Sequence, residues 1–124
     1  MTNQLQGEVL FAGWAGTDGL EAIDWAYTPW LPARGDIATF GVEVSAINSL
    51  TLEWEVQTRT SDDPASIAAL VTGPSISTVT TATVTNSTNK AKQLVRYRFK
   101  TGSSAGVSDY VVVRALQPSW QVNR

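Results

Sequence analysis

The 124-residue sequence predicts an all-β fold: a two-sheet antiparallel β-sandwich, jelly-roll-like, of about seven or eight strands with at most one short helix. Three observations predict it. Apolar and polar residues alternate with a period of two in several segments. Gly, Pro, Asn, Asp and Ser clusters punctuate those segments about every ten residues. Leu52, Trp54, Tyr97 and Phe99 fall on single faces, as the inner faces of two stacked sheets require. The length suits a single domain, residues 1–124.

The elements follow in order. Strands are expected over 7–12 and over 20–27, where Ile23, Trp25 and Tyr27 share a face. Residues 37–47 alternate with a change of phase near Phe40, which predicts a bulge or bend at Gly41. In 50–60, Leu50, Leu52, Trp54 and Val56 oppose Thr51, Glu53, Glu55, Gln57 and Arg59, the pattern of a strand with one buried face. The single helix candidate follows: Asp63 suits a cap, Pro64 the first helical position, and Ala65 to Leu70 one or two turns. A strand over Ala65 to Val71 fits those residues nearly as well. Residues 75–85 are rich in β-branched side chains but poor in bulk, which suits an edge strand. In 94–100, Val95, Tyr97 and Phe99 oppose Arg96, Arg98 and Lys100. Val111, Val112 and Val113 make 107–116 apolar on both faces, which argues for a central strand.

Composition excludes several chemistries. With 0 Cys and 0 His there are no disulfides, no Cys/His zinc sites and no Ser–His or Cys–His nucleophile pairs. The formal net charge is −2, without the basic footprint of a nucleic-acid binder. Its distribution is uneven: residues 1–63 hold ten acids and two bases, and residues 64–124 one acid and seven bases. Either the halves interleave, so that opposite charges meet across strands, or the fold keeps two oppositely charged faces. Glu53 and Glu55 against Arg96, Arg98 and Lys100 pose the same choice, between a register device and a basic row open to an acidic partner. No signal peptide precedes the first strand and no apolar run is long enough to span a bilayer, so synthesis in a cytoplasm is expected.

Chemistry-bearing residues are few. The carboxylate pairs Asp62–Asp63 and Glu53/Glu55 are the acid–base candidates, and no Gly-rich phosphate loop opens a helix; the expectation is a non-enzymatic protein without cofactor. Asp18, Glu21 and Asp24 near Gly16 and Gly19 read as solvated loop acids rather than a metal site. Arg34-Gly35-Asp36 reads as a turn before a strand, and Asn86-Ser87-Thr88 is a glycosylation sequon with no secretory signal. The 5 tryptophans are many for this length. Trp54 belongs to the core, whereas Trp14, Trp25, Trp30 and Trp120 lie in or beside Gly/Pro-rich stretches, where rings plug sandwich ends, anchor protein interfaces or stack on sugars. Trp30 and Trp120, each near a proline, are the expected exposed pair. Together with Arg96, Arg98 and Lys100 they form the candidate interface.

In overall style the chain resembles the small β-sandwich and jelly-roll decoration (cement) proteins of tailed-bacteriophage capsids. Leu94-Val95-Arg96-Tyr97-Arg98-Phe99-Lys100 and Leu116-Gln117-Pro118-Ser119-Trp120 are similar to segments of small proteins encoded in phage-like gene clusters. The resemblance implies a structural protein on the virion surface that binds the major capsid protein, self-associates and stabilises the shell, with neither nucleic acid nor membrane as partner. The alternatives are a carbohydrate-binding sandwich module and a phage tail or neck adaptor.

Overall fold

The computed structural model describes residues 9–12, 25–48, 51–101 and 110–121. Ten strand segments follow one another: β1 (Val9–Ala12), β2 (Ala26–Tyr27), β3 (Leu31–Pro32), β4 (Ala38–Asn48), β5 (Leu52–Thr60), β6 (Asp63–Thr72), β7 (Thr80–Thr85), β8 (Leu94–Thr101), β9 (Tyr110–Leu116) and β10 (Ser119–Trp120). All pairings are antiparallel. In one sheet β9 lies between β1 and β4, and β7 and β10 also pair with β4. In the other, β8 lies between β5 and the two short segments β2 and β3, with β6 beyond β5.

Two of the short segments are halves of one interrupted strand. Tyr27 sits opposite Arg98 and Leu31 opposite Val95, so β2 and β3 both run along β8 with one extra residue between them. The break falls at Pro29, which has no N–H for the ladder. Likewise Ala115 sits opposite Val42 and Ser119 opposite Thr39, so β9 continues as β10 along β4 past Pro118. Joining each pair leaves two four-stranded sheets with the orders β1-β9-β4-β7 and β2/β3-β8-β5-β6. Apart from the β5–β6 hairpin, chain-consecutive strands lie in opposite sheets. That is a jelly roll, the eight-stranded double-sheet architecture expected from the alternation.

Hydroxyl groups repair both breaks. Beside Pro29, the Tyr97 N–H donates to Thr28 Oγ1 (3.1 Å) and the Thr28 N–H donates to the Tyr97 carbonyl (3.1 Å). Beside Pro118, the Tyr97 hydroxyl accepts from the Gly41 N–H (3.1 Å) and donates to the Leu116 carbonyl (2.6 Å). Gly41 and Leu116 belong to one sheet and Tyr97 to the other. One phenol thus fills a gap in the facing sheet's ladder while its ring packs in the core, satisfying two backbone groups that would otherwise be costly to bury.

The core lies between the sheets. Ala38, Phe40, Val42 and Val44 of β4 and Val111, Val113 and Ala115 of β9 face Leu52, Trp54 and Val56 of β5 and Val95, Tyr97 and Phe99 of β8. Tyr97 stacks on Phe99 and Trp54, with centroids 6.1 Å apart in each case, and meets Phe40 edge-on at 5.9 Å. Gly73 backs onto the indole of Trp54, whose Nε1–H donates to the Pro74 carbonyl (2.9 Å). At one end of the sandwich the buried Asn86 side chain accepts from the Ala38 N–H (2.8 Å). It also donates to the carbonyls of Asp36 (2.9 Å) and Asn89 (2.7 Å), so the sequon asparagine is a structural pin.

Three expectations need correction. Residues 63–72 form a strand, the second of the two readings left open for this segment, and not the helix; no helix occurs among the described residues. Asp63 does cap locally, its Oδ1 accepting from the Ala65 N–H (2.9 Å), but the following residues pair with β5. Pairing of this strand with β5 outweighs the helical preference of two alanine-rich turns. Against β7 the register of β4 is regular through Gly41, and the extra residue near Phe40 and Gly41 belongs to the facing β9–β10 strand; the shift between β4 and β9 themselves falls between Val44 and Ala46, which brings Ile47 onto the core. Finally, the 75–85 strand is shorter than expected, with Thr80–Thr85 pairing only with β4 among the described strands, although its edge position is as expected.

Candidate functional site

The opposite charges of the chain halves meet across β5 and β8. Glu53 lies opposite Lys100, Glu55 opposite Arg98 and Gln57 opposite Arg96. Arg98 Nε donates to Glu55 Oε2 (2.8 Å) and a second bond runs from Arg98 Nη2 to the same oxygen. Lys100 Nζ reaches Glu53 at 4.0 Å, and Arg96 Nε donates to Gln57 Oε1 (2.9 Å). A further pair, Arg114 with Glu43 at 3.5 Å, joins β9 to β4. Interleaving is the observed arrangement, and these charges specify strand register.

On the outer face of the same sheet an aromatic row lies beside this polar row. Trp25 and Tyr27 share a face by two-residue periodicity, and the extra residue at Pro29 shifts the phase so that Trp30 joins them. The guanidinium of Arg98 lies 3.8 Å and the ammonium of Lys100 4.8 Å from the Trp25 ring centre. Arg96 lies 4.0 Å from the Tyr27 centre and 4.3 Å from that of Trp30, and Arg59 lies 5.4 Å from Trp30. Each contact contributes about 0.5–1 kcal/mol at such partly exposed positions. The bonds to Glu55 and Gln57 hold Arg98 and Arg96 against these rings. Tyr27 is 44% exposed, which makes this face accessible.

Of the residues expected at an interface, Trp30, Arg96, Arg98 and Lys100 are brought together here. Trp120 is not: it lies in β10 of the other sheet, half-buried and edge-on to Phe40 at 5.9 Å. Sequence reasoning did not place Trp25, Tyr27, Gln57 and Arg59 at this site. Trp25 and Tyr27 were legible as same-face neighbours, but which strand they would line depended on the fold. Asp18, Glu21, Asp24 and Trp14 lie outside the described residues.

The other candidates are accounted for as structure. Asp36 of the Arg34-Gly35-Asp36 turn pairs with Lys90 at 3.9 Å, and its carbonyl accepts from the Ala91 N–H (2.9 Å) as well as from Asn86. Asp62, in the β5–β6 turn, and Asp63, the first residue of β6, are exposed. A cleft of about 300 Å³ opens between β6 and the segment after β7, lined by residues that include Leu70, Thr85, Asn86 and Asn89; no lining residue is ionisable. No group of three potential metal-ligating residues occurs among the described residues.

Fold and site together define an eight-stranded jelly roll with an aromatic–cationic row on the outer face of one sheet. The chain matches no family model, no curated protein and no solved structure.

Proposed function

We propose that this protein is a non-enzymatic structural component of a bacteriophage virion, a decoration protein that binds the outer capsid lattice and stabilises it. The observation that carries this reading is the outer face of the β2/β3-β8-β5-β6 sheet. There, three aromatic rings and four cationic side chains are packed against one another on rigid strands. Trp, Tyr and Arg dominate the hot spots of protein interfaces, and preorganisation lowers the entropic cost of docking. A modest contact repeated over a lattice gains affinity through multivalency. Self-association belongs to the same reading: β6 and β7 each leave one hydrogen-bonding edge unpaired among the described strands, a route for strand addition between copies.

The test is the particle that carries the native chain. Extracts of the producing cells are separated by rate-zonal sedimentation, and antibody-bound gold locates the chain by electron microscopy. Gold on the outer surface of isometric shells is expected, together with earlier shell disruption on heating once the protein is stripped. A chain that sediments as free monomer in extracts rich in shells overturns the reading. A glycan-binding role draws on the same aromatic row, since sugars stack on such rings. It predicts binding to a neutral oligosaccharide that is lost on Trp30→Ala and insensitive to salt.

A further inference from the structure

The cations of this face differ in how their charge is balanced. Arg98 has Glu55 and Lys100 has Glu53. Arg96 has neutral Gln57, and Arg59 spends its Nε and Nη2 on the carbonyls of Thr60 (2.9 Å) and Ser61 (3.0 Å). Among the described residues neither Arg59 nor Arg96 has a carboxylate within ion-pair distance. Both flank Trp30. Burial lowers the pKa of Arg96, Tyr27 opposes that shift, and the like charges of Arg98 and Arg59 add to it; an anion bound there would offset the like-charge repulsion.

The stacking geometry leaves donors available. The Arg96 guanidinium carbon lies over both the Tyr27 and Trp30 rings, its Nε is committed to Gln57, and both Nη groups lack an acceptor among the described residues. This is the fork that binds a carboxylate with two bonds. The surroundings limit what can carry that carboxylate. Glu53 and Glu55 lie on the same face, exposed Asp62 and Asp63 follow Arg59 in and just after the next turn, and the chain has a net charge of −2, all of which repel a densely charged polyanion.

We propose that Arg59, Trp30 and Arg96 form the docking centre of this face, and that it receives a single exposed Asp or Glu side chain from a surface loop of the partner protein. The carboxylate bonds to the Nη groups of Arg96, Arg59 supplies the second positive charge, and Trp30 with Tyr27 covers the apolar flank of the incoming loop. Gln57 is a positioning residue, because its bond to Arg96 Nε fixes the plane of the fork. The inference rests on the docking role given above and names its chemistry.

The probe is a blocked pentapeptide of one glutamate flanked by glycines, titrated into the isotope-labelled full chain while the arginine Nε–H and tryptophan indole NMR signals are followed. Saturable shifts at Arg96 and Trp30 are expected, absent with the glutamine version of the peptide and weakened at least tenfold in an Arg59→Gln/Arg96→Gln variant. A Lys90→Gln control is expected to bind as the parent does. Retained indole dispersion in the double variant separates lost binding from lost fold. No shift with the glutamate peptide, equal shifts with the glutamine peptide, or tighter binding of a thymidine oligonucleotide or a uronic-acid oligomer would each overturn the proposal. Gold-labelled shells decorated equally by parent and double variant overturn this inference and leave the docking role intact. Peptide binding by a chain never found on a shell does the reverse.

Discussion

Removing the Tyr97 hydroxyl tests how the two sheets are joined. Tyr97→Phe keeps the ring and its packing on Trp54, Phe99 and Phe40. It deletes the single oxygen that lies 3.1 Å from the Gly41 nitrogen and 2.6 Å from the Leu116 oxygen. The register that sets Val42 opposite Ala115 would bring Gly41 opposite Leu116 if the strand were continuous, and here the hydroxyl bridges the two groups instead. Without it, a buried N–H and a buried C=O lose their partners, at about 1–3 kcal/mol each. The phenylalanine ring no longer carries a polar group to desolvate, which offsets part of that. The expected net loss is about 2–3 kcal/mol, or about 10 °C in Tm for a domain of this size. Urea and thermal unfolding followed by tryptophan fluorescence measure it. A loss under about 0.5 kcal/mol would mean that the strands close the gap unaided, and the bridging role would be refuted.

The same hydroxyl has a pH signature. Burial raises its pKa, and the bond from the Gly41 N–H opposes that shift to a smaller extent. Above about pH 10 the unfolded tyrosine ionises while the folded one stays protonated, so stability falls as pH rises, by up to about 1.4 kcal/mol per unit. Urea titrations between pH 9 and 11 should show this slope in the parent and lack its contribution in Tyr97→Phe. Gly73→Ala places a Cβ 2.0 Å from the Trp54 ring, so a loss of about 3 kcal/mol or failure to fold is expected, with a shifted tryptophan emission maximum as the readout. Asn86→Ala strands the buried Ala38 N–H and frees two carbonyls. About 3 kcal/mol should be lost in urea unfolding, with faster amide exchange at Ala38. Glu55→Gln should cost about 1–2 kcal/mol, because the Glu55 and Arg98 side chains are only 13% and 22% exposed, whereas Glu53→Gln, at 43% exposure and 4.0 Å from Lys100, should change stability by less than about 0.5 kcal/mol. Equal effects at the two glutamates in denaturant titrations would refute that ranking.

Much of the architecture was legible from the chain itself. A period of two buries alternate residues whatever the neighbour, so Leu52, Trp54 and Val56 and the row Val95, Tyr97 and Phe99 identified themselves as inner faces, and Val111 to Val113 as a central strand. Charge of one sign in β5 and the other in β8 allowed either their pairing or an exposed basic row, and the observed register shows the pairing. Residues 63–72 were ambiguous because Asp-Pro-Ala opens a helix or a strand equally well, and the ladder offered by β5 decided between them. The aromatic–cationic face shows the same limit. Trp25, Tyr27 and Trp30 break phase at Pro29, and a local pattern cannot say whether a proline ends a strand or inserts a bulge within it. Pairing with β8 resolved that, and set Trp30 between arginines from two different strands. Periodicity is a local property of the chain and survives without a partner; register across a break, and the company a side chain then keeps, exist only once distant segments have been brought together.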